Sequence, residues 1–288
     1  MLEGCKISFI GSGAMAEAMI SGLIRNKLAV PEAIFSSDPR EDRLSELTQL
    51  YNIQTNTNNL KAIEDADVIV LSIKPQVLQK VLDELANHLK SDALVLSIVA
   101  GAPIRKISSG LDHPIVVRSM PNTPAQIGQG ITVWTAAKSV SEHQMKMARQ
   151  ILSALGEEIF LEDEYYLDMA TALSGTGPAY VFLFMEAMVD AGVHLGFERH
   201  IAEKLVAQTV RGSVDYFTKR DDPVHLARLR NQVTSPGGTS AAALYYLEKA
   251  GFRTAISRAI WGAYERSREL GANAKTHAPD ADVTDHGQ

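Results

Sequence analysis

Lys6-Ile7-Ser8-Phe9-Ile10-Gly11-Ser12-Gly13-Ala14-Met15-Ala16 decides the fold of this chain: an apolar strand runs into a G-x-G-x-x-A turn, and an amphipathic helix follows it. In that setting the first glycine makes a tight turn, the second lets a pyrophosphate lie against the backbone, and Ala16 lets the helix pack close to the strand. Gly11, Ser12, Gly13, Ala14 and Met15 are therefore expected to touch a dinucleotide. The unpaired N–H groups of a helix's first turn favour the phosphate charge there.

Outward from that strand, β-rich runs at residues 33–36, 68–73, 94–98, 115–120 and 131–135 alternate with helical patterns near 14–25, 41–51, 76–89 and 102–108. Apolar strands separated by helices predict an α/β, Rossmann-type, doubly wound parallel sheet. A helix over 141–155 and a strand over 158–161 close this half. Beyond residue 162 only helical periodicity remains, over 164–173, 179–195, 199–216, 223–232, 240–250 and 252–270. The expected organisation is a dinucleotide-binding domain at 1–162, an all-helical carboxy-terminal domain for substrate and dimerisation at 163–271, and a small, polar tail at 272–288 that reads as disordered. Tyr180-Val181-Phe182-Leu183-Phe184-Met185 is apolar around most of its helix, which points to a second subunit or to a thick single-chain core.

A net charge of −6 offers no electrostatic attraction to nucleic acid or to an anionic membrane, and neither is expected as a partner. The longest apolar stretch, residues 179–189, is interrupted at Glu186 and too short to span a bilayer, so a buried helix is expected. The single cysteine, Cys5, permits no internal disulfide; with no leader-type segment before the first strand, the expected compartment is the cytoplasm. The histidines are scattered without metal-binding spacing, and no metal is implied.

A second landmark is Val233-Thr234-Ser235-Pro236-Gly237-Gly238-Thr239-Ser240, a hydroxyl- and glycine-rich turn that opens into an alanine-rich helix. Pro236 fixes its own φ and pushes Ser235 out of the helical region, while the glycines let backbone N–H groups approach a small anion. A carboxylate suits such a helix start. An ordinary N-cap, with Ser235, Thr239 or Ser240 satisfying its own helix, fits the same residues.

Taken with Ser72-Ile73-Lys74-Pro75, Met120-Pro121-Asn122-Thr123-Pro124 and Leu173-Ser174-Gly175-Thr176-Gly177-Pro178-Ala179-Tyr180, these two landmarks resemble the pyrroline-5-carboxylate reductase family in order and spacing over residues from about 7 to 270. The resemblance implies reduction of 1-pyrroline-5-carboxylate to L-proline by hydride transfer from NADPH, with NADH possible, in a homodimer or a larger ring. It places Lys74 and Pro75 beside the ribose and nicotinamide, and Asn122, Thr123 and Pro124 under the nicotinamide. Ser174 and Gly175 would lie close to cofactor and substrate, and Asn59 near the adenosine ribose unless it is an exposed loop amide. Val233, Ser235, Gly237, Gly238, Thr239 and Ser240 would hold the substrate, with Ser240 beside the ring nitrogen as the catalytic hydroxyl.

At the cofactor's 2′ position two arrangements compete. Asp38 could accept a hydrogen bond from a free ribose hydroxyl, which favours NADH. Ser36 and Ser37 with Arg40 or Arg43 could instead hold a 2′-phosphate, the choice the resemblance favours. Ser240 stands where the family commonly has threonine, and Asn231 where the preceding stretch often carries an aspartate. The competing readings are a β-hydroxyacid dehydrogenase, for which Lys204 is the one candidate lysine, another cyclic-imine reductase, and a dinucleotide sensor without turnover.

Overall fold

The structure is a computed structural model that describes Leu2 and residues 4–272. The tail expected at 272–288 lies outside the described residues, except for Ala272, which ends the last helix. In chain order, β1 (Ile7–Ile10), α1 (Ala14–Arg25), β2 (Ile34–Ser37), α2 (Glu41–Tyr51), β3 (Gln54–Asn56), α3 (Asn59–Ile63), β4 (Val68–Leu71), α4 (Leu78–Leu85), β5 (Leu94–Ser97), α5 (Ile104–Leu111), β6 (Val116–Met120), β7 (Gly130–Ala136), α6 (Glu142–Ser153) and β8 (Gly156–Phe160) come first. Next, α7 (Tyr166–Ala170) passes through a wide π turn, Thr171–Gly175, into α8 (Gly177–His194). The chain then continues through α9 (Arg199–Thr218), α10 (Leu226–Gln232), α11 (Thr239–Lys249) and α12 (Phe252–Ala272).

The strands form one sheet in the order β3-β2-β1-β4-β5-β6-β7-β8. It is parallel except where β6 meets β7, which corrects the expectation of an all-parallel sheet. The nine-residue link between those strands is too short for a crossover, so the chain has to turn back on itself. Two elements have no counterpart in the sequence reading, β3 and α3, because both are too short to show a period. The helix expected over 76–89 is a 3₁₀ turn at Pro75–Val77 followed by α4.

Successive strand residues point to opposite faces, and the two apolar clusters follow from that alternation. Val68, Val70, Leu94 and Leu96 pack with Met19, Ile20, Leu23, Ala148 and Ile151 of α1 and α6. Ile69, Leu71 and Val95 pack on the other face with Ala62, Ile63, Leu82, Leu85 and Ile107 of α3 to α5. Both faces are covered, which is why the central strands are apolar throughout.

The chain divides into two compact units, one comprising Met1–Gly175 with the chain from Ala263 onward, the other Thr176–Gly262. The division thus falls after the π turn rather than at residue 162, since Glu164, just before α7, and Asp168, within it, are bonded to Arg118 of β6. Within the second unit, Val189 of α8 packs on Ala202 and Val206 of α9, flanked by Met185, Met188 and Val210. That core is small. Phe182 and Leu183 are 62% and 67% exposed, so the segment expected to be a buried helix is not buried within its own chain. The helical run Tyr166–His194 is also longer than the apolar stretch counted from sequence, and by length and composition it could cross a membrane.

Candidate active site

β1 pairs with β2 on one side and with β4 on the other, so the direction of chain progression reverses at its carboxyl end, where open α/β sheets bind ligands. Gly11 turns the chain there at φ +96, and its N–H donates to the Ser37 carbonyl at 2.8 Å. A Cβ at position 11 would lie 2.7 Å from the Ser72 carbonyl oxygen. Ser72, which sequence reasoning quoted but did not assign, donates its hydroxyl to the Gly11 carbonyl at 2.7 Å and so buttresses the turn.

Gly13 is different. Its φ of −70 is open to any residue, and nothing lies within 4 Å of where a Cβ would be. It starts α1 without a side-chain cap, leaving the helix's first N–H groups to an outside acceptor. Ala14 and Met15 open the helix beside it. An open cradle, uncapped N–H groups and a helix of 12 residues fit a dinucleotide's pyrophosphate.

The end of β2 is polar and tightly organised. Ser36 and Ser37 are fully buried. Ser36 Oγ is bonded to Ser12 Oγ at 2.8 Å, and Ser37 Oγ donates to Asn59 Oδ1 at 2.7 Å. These hydroxyls are engaged inside the fold, and Arg43 is tied to the Ser12 carbonyl, Glu17 and Glu46, which leaves the more exposed Arg40 of the set expected to meet a 2′-phosphate. Asn59 is no exposed loop amide; it opens α3 and also donates to Glu84 at 2.9 Å. Asp38 directly follows β2, accepts the Ser12 N–H at 2.9 Å, and receives Arg40 Nε at 2.9 Å. Burial pushes the Asp38 carboxyl up, but the bonds from Arg40 and from the Ser12 N–H outweigh it and hold the group below the usual carboxylate range.

Lys74 is exposed and precedes the Pro75–Val77 turn at the end of β4. Asn122 uses both ends of its amide within the fold: Nδ2 donates to the Ser174 carbonyl at 3.2 Å, and Oδ1 accepts the Ile131 N–H at 3.0 Å. Thr123 and Pro124 open the following 3₁₀ turn, with Thr123 exposed. Ser174 and Gly175 lie in the π turn, where Ser174 Oγ donates back to the Ala170 carbonyl at 2.9 Å.

In the second unit, α10 ends at Gln232 and the 233–240 segment turns through Gly237 at φ +70, with the Gly238 N–H donating to the Ser235 carbonyl at 3.0 Å. Gly238 is the N-cap of α11, and no side chain caps that helix. Ser235, Thr239 and Ser240 therefore do not act as the ordinary cap, and the first turn of α11 starts without one. Val233 is 69% exposed beside them. Asn231 meets Arg230 Nη2 at 3.4 Å.

Residues 164–270 match the family model described as pyrroline-5-carboxylate reductase dimerisation, and residues 6–101 match that of NADP oxidoreductase coenzyme F420-dependent. A pyrroline-5-carboxylate reductase of Synechocystis sp. is 41% identical over 266 residues, covering 92% of this chain and 98% of the relative. One from Pseudomonas aeruginosa is 42% identical over 267 residues, covering 92% and 96%. Among solved structures, Plasmodium falciparum pyrroline carboxylate reductase with NADP bound superposes with a TM-score of 0.85 at 32% identity, covering 93% of this chain and 99% of that one.

Proposed function

The chain belongs to the pyrroline-5-carboxylate reductase family, and from that premise we propose how its residues share out the NAD(P)H-dependent reduction of 1-pyrroline-5-carboxylate to L-proline, the last step of proline biosynthesis. Gly13 carries the reading: neither backbone conformation nor packing requires glycine there, whereas a bound pyrophosphate does. When bound, the reduced nicotinamide supplies the hydride. The α1 N–H groups and Ser12 hold the cofactor's phosphates, and Lys74, Pro75, Thr123 and Gly175 border its reactive end. Asn122 acts as a strut beneath that end, since both ends of its amide are already engaged.

The α11 N–H groups after Gly238 take the substrate carboxylate, and the Ser240 hydroxyl orients the imine nitrogen. A cyclic imine is basic enough to arrive protonated near neutrality, so the protein has to position it rather than supply a strong acid. Orientation of two bound reactants is worth up to about 7–11 kcal/mol. Ser240→Ala is expected to lower kcat/KM for the imine by about tenfold, the value of one hydrogen bond, with cofactor affinity unchanged. Steady-state kinetics beside a cofactor titration check this; wild-type kinetics would take Ser240 out of the site.

Both nicotinamide donors are accepted, with Asp38 and Arg40 setting the ratio. Asp38→Asn keeps a hydrogen-bond acceptor but removes the negative charge that repels a 2′-phosphate, and it loosens the hold on Arg40. The NADPH-to-NADH ratio of kcat/KM should rise by roughly tenfold, the effect of removing one close like charge at high effective dielectric. A ratio unchanged in that variant would move discrimination elsewhere.

The protein works as a homo-oligomer. Its interface, in this reading, is the exposed apolar surface of α8 around Phe182 and Leu183, which are mostly uncovered within their own chain. The proposed compartment is the cytoplasm; burial, helped by Asp67, pushes the Cys5 thiol up to about 11, as suits a structural rather than a reactive cysteine. The reaction is tested by following NADPH and NADH oxidation with synthetic pyrroline-5-carboxylate, other cyclic imines and 3-hydroxy acids. Turnover confined to pyrroline-5-carboxylate is expected, and a preference for hydroxy acids overturns the assignment.

A further inference from the structure

β6 meets the segment 164–175 along one face. Side chains two apart on a strand share a face, and Arg118, Met120 and Asn122 form such a row in and just beyond β6. Arg118 is a lone cation in an apolar strand and only 4% exposed. Its Nη1 donates to Glu164 Oε1 at 3.0 Å and its Nη2 to Asp168 Oδ1 at 2.9 Å. Each carboxylate is held from a second side: Glu164 accepts the Ile104 N–H at 2.7 Å, and Asp168 accepts the hydroxyl of Ser267, on α12, at 2.9 Å. Farther along the row, a Cβ at Gly175 would meet Met120 Cε at 2.8 Å, and the Asn122 amide bonds the Ser174 carbonyl.

The held segment contains the π turn, the one place where the helical run leaves α geometry. Such turns are rare and concentrate at functional sites. This one is kept from relaxing by its packing: Leu167 and Ala172 are fully buried, and Thr171 Oγ1 and Ser174 Oγ each donate to a carbonyl four residues back. Five donors on a planar fork let a guanidinium hold two carboxylates at once in a fixed geometry, which the point charge of a lysine does less rigidly. Of the three contacts in the row, only that of Arg118 is ionic on both sides.

We infer that Arg118 is a positioning residue for the reduction: by clamping Glu164 and Asp168 it fixes the π turn, and so the place at which Ser174 and Gly175 border the nicotinamide. The inference rests on the assigned reaction for its catalytic half and on geometry alone for its structural half. It predicts a loss of turnover without loss of cofactor binding, because the glycine turn and α1 follow β1, three strands away from the β6 that carries Arg118. A merely stabilising ion pair would behave differently, leaving each folded molecule at full rate.

The test uses Arg118→Gln, Arg118→Lys and Asp168→Asn in the full-length protein, well below the unfolding temperature. Sites are counted by cofactor titration, and two things are read: amide hydrogen exchange of residues 164–175 and kcat per titrated site. Expected for Arg118→Gln are faster exchange confined to that segment, wild-type cofactor affinity, and a kcat per site lower by roughly tenfold to a hundredfold, the range for a small misplacement at a reacting centre. Partial recovery is expected in Arg118→Lys, and Asp168→Asn, which keeps the side-chain shape, should fall between. Should Arg118→Gln not fold, the other two variants decide. Unchanged exchange, or kcat per site within twofold of wild type in the variants that fold, overturns the inference. Faster exchange with a wild-type protein that does not reduce the imine overturns the assigned reaction instead.

Discussion

Gly13→Val is expected to raise the dissociation constant for NADPH and NADH by about a hundredfold, near 2.7 kcal/mol, while the protein stays folded. The side chain would project into open space above the first turn of α1 and occupy the volume where a pyrophosphate meets the backbone. With φ at −70 and ψ at 179, the substituted residue pays no conformational penalty, and the loss of glycine as N-cap costs about 1 kcal/mol or less. Gly11→Ala is the control with the opposite signature. Its Cβ would collide with the Ser72 carbonyl at a positive φ, so it should unfold the protein at lower temperature before any binding question arises. Calorimetric titration beside a melting curve separates the two, and wild-type affinity in Gly13→Val would remove the pyrophosphate from that turn.

Leu183→Asp is expected to convert the oligomer to monomer at micromolar concentration. Leu183 is 67% exposed in its own chain, so the substitution is tolerated by the fold. Across an interface the same carboxylate loses water without gaining a partner, at a cost of about 4 kcal/mol, roughly a thousandfold in the association constant. Sedimentation velocity gives the result directly. An unchanged sedimentation coefficient would place the interface on a face other than that of α8.

The sheet domain was legible because its signals are strong and local. The strand, turn and helix around Gly11 carry their own grammar, and β4, β5 and β6 are apolar runs of strand length. The reversal of β7 leaves no mark on any residue of the strand; its signal was the short, helix-free gap between the runs at 115–120 and 131–135, which the strand-helix alternation elsewhere obscured. Short β3 and α3 escaped for want of a period, although Asn58 caps α3 through the Leu60 and Lys61 N–H groups and could have marked it.

Among the site residues, the glycine turn could be read from spacing because backbone geometry dictates it. The roles of Ser36, Ser37 and Asn122 could not, because a hydroxyl or an amide reads the same whether it faces a ligand or another residue of the fold. Arg118 did leave a signal in the lone charge within Val116-Val117-Arg118-Ser119-Met120. Its partners, Glu164, Asp168 and Ser267, are too distant in sequence for any pattern to join them.

The placement of Ser267 bears on how the protein is made. The first unit is built from two stretches of chain separated by the whole of the second unit, and Tyr264 and Ser267, both buried in it, belong to the later stretch. Until they are translated, Asp168 waits without its serine and Tyr165 without the Tyr264 hydroxyl 2.7 Å away. A nascent chain stalled before Ala263 therefore holds all eight strands of the sheet without these closing contacts, and the hydrogen bonds that finish the first unit form only after the second unit has been translated.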